Sequence, residues 1–531
     1  MRRLATRARA MGSMSNLVPR LAGAWAWPAR DVARESGARQ RRHRWHTLGT
    51  SGCGLALALL GGCAAVGPDY DGPPASTAED VAAWPLGGEA AVTSAEPAER
   101  WWQELGDADL DALMEAAMTA NYDLRIAVAN VEAARAVLDA VDTRKRPRVD
   151  FNASVQERRD SSALIVIADS DDRFPTVSRG SFGLDLSWEI DLFGRVRRSI
   201  EAAAAELGSL EAVRNGVMVA VLAQVARAYV DLRGAQSRLE VAERNVDVQR
   251  QTLDLVSLLT REGAATELDI ARARTLLLTS ESTIPSLRAA ARAALNRLTT
   301  LTGRAPGALG ESLGPGGTLP WLPEFVAAGA PADLLRRRPD VRAAERALAA
   351  ASARIGVATA DLFPTVTFGA NVGIGSAPLS GLSAAGAPFF GAGPQLNWNL
   401  FDRSAIWARI RQVDSGAAAA MARYEATVTT ALEEVDTALN AWLNERERRA
   451  RLAAARDASR EAWRLAQLRY REGVEDFLTV LDAERSLLAI EDQLAVSEIA
   501  LAQRLVDIHV ALGGGWETAT AAPHVPYDSA E

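Results

Sequence analysis

One stretch of the chain occurs twice, and this duplication limits the possible folds more than any other feature. Residues 261–278 read REGAATELDIARARTLLL and residues 471–488 read REGVEDFLTVLDAERSLL, at an offset of 210 residues without a gap. In each copy a long helical pattern stops at a glycine, Gly263 or Gly473, and a second helical pattern starts just after it. Glycine takes the left-handed conformation that ends a helix at little cost. Each copy therefore predicts a tight turn between two antiparallel helices.

A second match extends the duplication over most of the chain. Residues 121–155 align with residues 338–372, so that Phe151 corresponds to Phe368. The sequence WEIDLFGR from Trp188 is echoed by WNLFDR from Trp398. Two copies of a long unit predict an internal two-fold repeat, because a solenoid needs more copies of a shorter unit.

Between the helical patterns the hydrophobic period changes from 3.6 to 2. Apolar residues alternate with polar ones over 149–155 and 182–190, and again over 365–374 and 395–400. Each copy therefore predicts a two-stranded hairpin, with one apolar and one polar face. Such strands suit a transmembrane β-barrel, and the alternative is the edge of a sandwich packed on a core. The polar faces favour a water-filled lumen, since they carry Asp185, Glu189, Asn371, Gln395 and Asn397.

The predicted helices have matching lengths. The pattern over 195–262 would form a helix of about 100 Å, and those over 121–146 and 264–302 together give a similar length. In the second copy, 403–472 matches 340–363 and 474–512 together. One long helix can thus pair with two shorter helices stacked end to end. Helices of this length need coiled-coil packing against neighbours.

The charge distribution points to a targeting segment. The formal net charge is −8, but residues 1–50 hold eleven arginines and two acidic residues, so the remainder is strongly acidic. A chain of that charge is not a nucleic-acid binder. The basic stretch precedes a short apolar run and Leu60-Gly-Gly-Cys63, which is typical of a secretory signal followed by a bacterial lipobox. We expect a covalent N-acyl diacylglycerol at Cys63, with an ordinary signal and a chance cysteine as the alternative.

These segments divide the chain. We predict a signal peptide with an N-terminal extension over 1–62, a lipidated tether over 63–100, a first repeat with linker over 101–337, a second repeat over 338–516 and a loose tail over 517–531. Cys63 is the one cysteine of the mature chain, which keeps two histidines, His509 and His524. This composition argues against a histidine metal site, and we expect no cofactor besides the lipid. Phosphate-loop, zinc-protease and Cys/His nucleophile motifs are missing, so an enzyme is not predicted.

Several motifs resemble the outer-membrane factor family, the TolC/OprM-like channels of RND-type tripartite efflux systems. The resemblance covers about residues 60–516, and its specificity lies in the order, spacing and duplication of the motifs. They are the lipobox, Trp101-Trp102, Trp188–Arg195, Leu362–Phe368, Leu400–Arg403 and Tyr470–Gly473. The resemblance implies a mostly α-helical homotrimer with a small β part. Each chain would give four strands to a shared 12-stranded transmembrane barrel, which continues into a long periplasmic α-helical barrel.

The resemblance also implies partners and sites. The channel would lie in outer-membrane lipid and dock a periplasmic adaptor (membrane fusion) protein and an inner-membrane RND-type transporter. The two turns would form the docking tip, with residues Gly263, Gly473, Arg261, Arg471, Glu262 and Glu472. Acidic residues would narrow the aperture at Asp482, whereas a second acidic position of the family falls on Thr479. Asp269 matches an aspartate that pairs with an arginine of a neighbouring helix in TolC. The residue at the position of that arginine is Glu475 here, so this ion pair is not expected.

The residues leave a second function open. A coiled-coil outer-membrane lipoprotein with an adhesive or structural role and no pore would also need long paired helices. It would not need four lipid-facing strands in two matched hairpins, and the strands therefore favour the channel.

Overall fold

The computed structural model describes residues 65–73, 92–93, 95–159, 176–314, 316–329 and 336–517. Cys63, the predicted signal peptide and residues 518–531 of the predicted tail lie outside these residues. The helices are α1 (Ala108–Ala120), α2 (Tyr122–Asp142), α3 (Arg195–Arg261), α4 (Glu267–Leu301), α5 (Pro339–Ala360), α6 (Arg403–Arg471) and α7 (Phe477–Ala511). The strands are β1 (Val92–Thr93), β2 (Arg148–Arg159), β3 (Thr176–Ile190), β4 (Val326–Ala327), β5 (Thr365–Ser376) and β6 (Pro388–Asn397).

The helices follow the predicted periodicity, and side chains fix their starts. Asp107 accepts hydrogen bonds from the backbone of Asp109 and Leu110 at the start of α1. Asn121 does the same for α2. The long helices α3 and α6 begin at the predicted residues and end within one residue of the predicted bounds. Because a side-chain acceptor satisfies backbone N–H groups that lack an intrahelical partner, these boundaries are set locally.

The same order of elements occurs in both halves: a helix, two strands, a long helix and a second helix. Both predicted hairpins are present, but β6 begins and ends earlier in the chain than the alternation over 395–400 suggested. It ends at Asn397, so Trp398 and Leu400 lie beyond the strand. There the chain turns toward α6, with the N–H of Leu400 bonded to the carbonyl of Trp398 and the indole of Trp398 bonded to the carbonyl of Leu362.

Four strands form one antiparallel sheet in the order β2-β3-β5-β6. Its register aligns Phe151, Leu184, Val372 and Phe390 in one row across all four strands. These four side chains are exposed, and the face around them is apolar. The neighbouring row places Asp150, Asp185 and Asn371 on the opposite face. The alternation therefore yields one apolar and one polar face, as predicted.

The long helices organise the packing. Both α2 and α4 pack along α3, and both α5 and α7 pack along α6, as expected from their summed lengths. In addition, α3 packs against α5 and α7, which joins the two halves. In the described part of the chain, every helix is too short or too polar to cross a membrane.

A buried cluster around two tryptophans ties the N-terminal part to the helices. Trp101 stacks on His509 of α7 with ring centroids 4.6 Å apart, and Trp102 is fully buried. Arg233 of α3 is also buried, where it bonds Tyr229 and forms an ion pair of 2.6 Å with Asp109. A parallel pairing of β1 with β4 holds the linker to the same region.

The predicted tether is anchored near its start. The N–H of Val66 donates to the carbonyl of Phe193, and Ala65 lies against Gly194 at the end of the hairpin. The buried guanidinium of Arg198 bonds the carbonyl of Val66 and forms an ion pair of 2.5 Å with Asp69. The chain just after Cys63 is thus fixed where the sheet meets α3.

Candidate functional site: the helix turns

The two turns have the same backbone structure. Gly263 has φ 78° and Gly473 has φ 72°, both in the left-handed region. In each turn the glycine N–H bonds a carbonyl three residues back, and the next N–H bonds one five residues back, at 2.8–3.1 Å. Two such bonds form the common glycine-ended helix cap. The predicted docking residues are all exposed, namely Arg261, Glu262, Gly263, Arg471, Glu472 and Gly473.

The helices after the two turns are capped by the same pair of residue types in reversed positions. The capping residue is a threonine in α4 and an aspartate in α7. In α4 the hydroxyl of Thr266 accepts from the N–H of Asp269, whose carboxylate accepts from the N–H of Thr266. In α7 the carboxylate of Asp476 accepts from the N–H and the hydroxyl of Thr479. These bonds to the backbone and hydroxyl of Thr479 lower the pKa of Asp476. Asp269 and Thr479, both predicted at the aperture, therefore take part in helix caps.

Glu475 and Asp269 have different partners. Glu475 forms an ion pair of 3.0 Å with Arg469 across its own turn. Asp269 lies 3.8 Å from Arg272 and close enough to Tyr470 to affect its ionisation. Burial, and then the charge of Asp269, raise the pKa of the Tyr470 phenol. Glu475 is thus paired within its own turn, whereas Asp269 of the first hairpin lies near Tyr470 of the second.

Arg469 and Tyr470 were not among the predicted site residues. Both precede Gly473 by about one helical turn, and Tyr470 is the first residue of the motif Tyr470–Gly473. Tyr470 packs on Phe477 with ring centroids 5.5 Å apart. The sequence did contain a signal for this contact. Tyr470 lies just before the glycine that ends α6, and Phe477 lies at the start of α7.

Asp482 is presented outward from its hairpin. Its side chain is 64% exposed and lies 3.9 Å from Arg485 on the next turn of α7. The preceding residue, Leu481, is 1% exposed. Because successive helical residues point about 100° apart, a buried leucine and an exposed aspartate can be neighbours. The carboxylate is therefore free to face a lumen or solvent.

An apolar tip cluster holds the two hairpins together behind the turns. Its buried members come from all four helices: Val256, Ala273, Leu276, Ala466, Phe477, Val480 and Leu481. A set of three or more potential metal-ligating side chains does not occur in the described ranges. The site thus consists of two exposed, charged turns and the apolar tip cluster that packs their helices together.

Paired helices of about 100 Å joined to a sheet with an exposed apolar face define an outer-membrane channel subunit. Solved channels share this fold. The outer-membrane channel OprN superposes with a TM-score of 0.77 at 36% identity, covering 85% of this chain and 99% of OprN. The open state of the Neisseria gonorrhoeae MtrE channel gives a TM-score of 0.73 at 28% identity, with 85% and 99% covered.

Sequence comparison gives the family. The model of the family described as "Outer membrane efflux protein" matches residues 113–304 and 330–514. The toluene efflux pump outer membrane protein TtgC of Pseudomonas putida is 32% identical over 469 residues, which cover 86% of this chain and 94% of TtgC. The chain belongs to the outer membrane efflux protein family, and it is the outer-membrane channel component of a tripartite efflux pump. This function rules against the adhesive lipoprotein considered above.

Proposed function

We propose that three copies of the chain form a passive exit duct, with four strands per chain in one 12-stranded transmembrane barrel. The four-stranded sheet is the observation that carries this proposal. A sheet of four strands cannot close on itself, and an open edge in lipid leaves backbone groups without partners. In the described residues β2 and β6 each have one neighbouring strand. Pairing β2 of one chain with β6 of the next satisfies both edges.

The exposed apolar row of the sheet supports a lipid-facing outer surface. Phe390 is 89% exposed and Phe151 is 68% exposed. Large apolar side chains at such exposure are costly in water and are stable in a bilayer. The polar row of Asp150, Asp185 and Asn371 then lines the lumen. The paired helices continue the duct as an α-helical barrel through the periplasm.

The exposed turns dock the periplasmic adaptor protein, which links the duct to an inner-membrane RND-type transporter. Each chain presents two turns with the same backbone hydrogen bonds, so a trimer presents six. The exposed pairs Arg261-Glu262 and Arg471-Glu472 give each turn one charge of each sign. Repeated, nearly equivalent surfaces suit repeated copies of one adaptor.

The lipid anchor at Cys63 holds the duct at the inner face of the outer membrane. Cys63 lies outside the described residues, but Val66 and Asp69 are bound to Phe193 and Arg198 at the junction of sheet and α3. This binding keeps the residues that follow Cys63 close to the end of the sheet, and therefore close to the bilayer surface. The Cys63→Ser variant should lose the acyl group and still insert, because acyl chains only anchor a protein that already spans the bilayer.

Asp482 forms the gate together with its two symmetry copies. Three carboxylates near one axis attract cations and raise the barrier for anions. Asp269, Thr479 and Glu475 serve the same aperture indirectly, since they cap and brace the turns. The closed aperture therefore combines a charged ring with the apolar tip cluster behind it.

Native mass spectrometry in detergent tests the trimer, and a stable monomer with intact β-structure would contradict it. Single-channel recordings in planar bilayers then test the gate. Asp482→Ala should reduce the cation preference and increase the conductance of the closed state, at neutral and at acid pH. Asp457→Ala is the matched control, because Asp457 of α6 is also 64% exposed and is paired with the adjacent Arg456. Unchanged conductance and selectivity in Asp482→Ala would remove Asp482 from the gate.

A further inference from the structure

A buried acidic residue of α7 lacks the counter-ion that its equivalents have. Glu498, Glu491 and Glu484 recur at intervals of seven residues, so they lie on one face of the helix. Glu498 pairs with Arg449 at 3.1 Å and Glu491 pairs with Arg460 at 2.7 Å, both on α6. Glu484 is 4% exposed, and no hydrogen bond or ion pair joins it to any residue that the structure describes.

The arginines of α6 do not follow the seven-residue spacing of the glutamates on α7. Arg449 and Arg460 are eleven positions apart, and the residue seven positions beyond Arg460 is the neutral Gln467. A buried carboxylate without a counter-ion is costly, since desolvation destabilises its charged form. Burial alone raises the pKa of Glu484 to about 7.

A glutamine of α3 lies at the same level and is also unpartnered. Gln249 is 2% exposed, and both its Nε2 and its Oε1 are buried without a hydrogen bond. The contact of Gly234 on α3 with Ile499 on α7 fixes the register of these two helices. Gln249 follows Gly234 by 15 residues and Glu484 precedes Ile499 by 15 residues, which is the same displacement toward the turns. The two residues therefore lie at a similar height along α3 and α7.

The third group of this layer comes from α6. The indole nitrogen of Trp463 is buried and has no acceptor. Trp463 is one helical turn from Ala466, and Glu484 is one turn from Leu481, while Ala466 and Leu481 belong to the tip cluster. We call Gln249, Trp463 and Glu484 the polar layer. It holds donors and acceptors from three helices, directly behind an apolar cluster that separates it from the turns.

Charged groups near this layer are already paired. On α3, Arg250 pairs with Asp247 and with Glu281 of α4. On α6, Arg464 pairs with Glu461 in addition to the Arg460–Glu491 pair. On α7 itself, Arg485 lies 3.9 Å from Asp482. None of these cations forms an ion pair with Glu484, so its negative charge would be uncompensated in this layer.

We propose that Glu484 is a proton-binding site that locks α7 against α3 and α6 when protonated and loosens this packing when it releases the proton to water. The neutral acid carries no charge, so it remains in this layer without a counter-ion, at the level of the unpartnered polar atoms of Gln249 and Trp463. The ionised acid needs full hydration, which it gains when the helices separate. This inference rests on the proposed function in one respect, since separation of these helices opens the duct.

The direction of the pH effect follows from the two states. In the packed state the pKa of Glu484 is about 7, whereas hydration returns it toward the ordinary value of 4.5. The packed state is therefore favoured fully below pH 4.5, and the preference is lost as the pH rises through about 7. Between these values each pH unit changes the ratio of packed to open duct up to about tenfold per chain.

Conductance and infrared titration together test the site. Across about pH 5 to 8 the open fraction of the wild-type pore should rise at least about tenfold. The isosteric variant Glu484→Gln should stay as closed at high pH as the wild type is at low pH. Glu491→Gln is the control, because it makes the same change on the same face of α7 at an acid that has its arginine. A Glu484→Gln pore that keeps the wild-type rise would overturn the proposal.

Infrared difference spectroscopy reads the proton without any current. A protonated carboxyl band should titrate near neutral pH in the wild type and in Glu491→Gln, and should be missing in Glu484→Gln. Gln249→Leu and Trp463→Phe make the layer less polar and should move this titration to higher pH. A wild-type band that titrates only near pH 4.5 would refute the site. If the protonated carboxyl band titrates near neutral pH but the protein conducts no current, the proposed exit duct would be wrong rather than the proton site.

Discussion

The hairpins α3–α4 and α6–α7 share one turn and differ in what their second helices bury. Both turns have a glycine in the left-handed region and the same pair of closing hydrogen bonds. The second helices α4 and α7 have 35 residues each, but α4 buries nine residues and α7 buries fourteen. The reason is packing, since α4 packs chiefly on α3, whereas α7 packs on both α6 and α3.

This difference shows that different residues determine the turn of a hairpin and the burial of its second helix. The glycine and the cap set the turn in either copy. The burial of α7 comes from apolar residues on two of its faces, so α7 is the helix whose movement would disturb both neighbours. Polar residues within α7, such as Glu484 and His509, are consequently buried, while α4 carries Pro285 and an exposed middle section.

The largest expected effect comes from truncating one leucine after each of the two turns. Leu481→Ala opens a cavity in the tip cluster and should destabilise the local packing by about 2–5 kcal/mol. Leu268→Ala, at a position that is 56% exposed in α4, should change it by less than about 0.5 kcal/mol. Hydrogen exchange of the first two turns of α7 and α4 measures both. Equal effects of the two variants would show that the hairpins are packed alike.

A second prediction concerns the far ends of α4 and α7. Offset by 210 residues, His509 corresponds to Thr299, and both are buried. Thr299 bonds the carbonyl of Leu295 in its own helix, but His509 is stacked on Trp101, and burial lowers its pKa to about 3. The folded state keeps His509 neutral, so stability is complete above pH 6.5 and is lost as the pH falls toward 3. At pH 4.5 the expected loss is about 2–3 kcal/mol per chain.

The variant His509→Phe isolates this contribution, since it keeps a ring against Trp101 and cannot titrate. The difference in thermal unfolding temperature between wild type and variant, followed from neutral to acid pH in detergent, should shift in favour of the variant. A difference that does not change with pH would mean that the pKa of His509 is not lowered in the folded protein.

The smallest expected effect is at the glycines themselves. Added Cβ atoms at Gly263 and Gly473 meet nothing within 4 Å, so only the backbone opposes a substitution. Gly263→Ala and Gly473→Ala should each cost about 1–2 kcal/mol, and by the same amount, because both have a left-handed φ. Hydrogen exchange at the amides of Ala264 and Val474 compares them. A clearly larger effect at Gly473 would mean that the packed α7 hairpin strains its turn.

Several features could be predicted from neighbouring residues alone. The bounds of α3 and α6, the turns at Gly263 and Gly473 and the strands around Phe151 and Phe368 depend on periodicity and on residue types within a few positions. Such interactions are local, so they are present in the sequence itself. The exposure of the docking residues at the turns follows for the same reason.

The tertiary structure alone decided which elements meet. The pairing of β3 with β5, the packing of α3 on α7 and the anchoring of Val66 on Phe193 join residues that are far apart in the chain. Glu484 illustrates the physical reason. Its series with Glu491 and Glu498 reads as a solvated helix face, and only the approach of α3 and α6 removes it from water. Burial depends on several helices at once, and no single stretch of sequence contains that information.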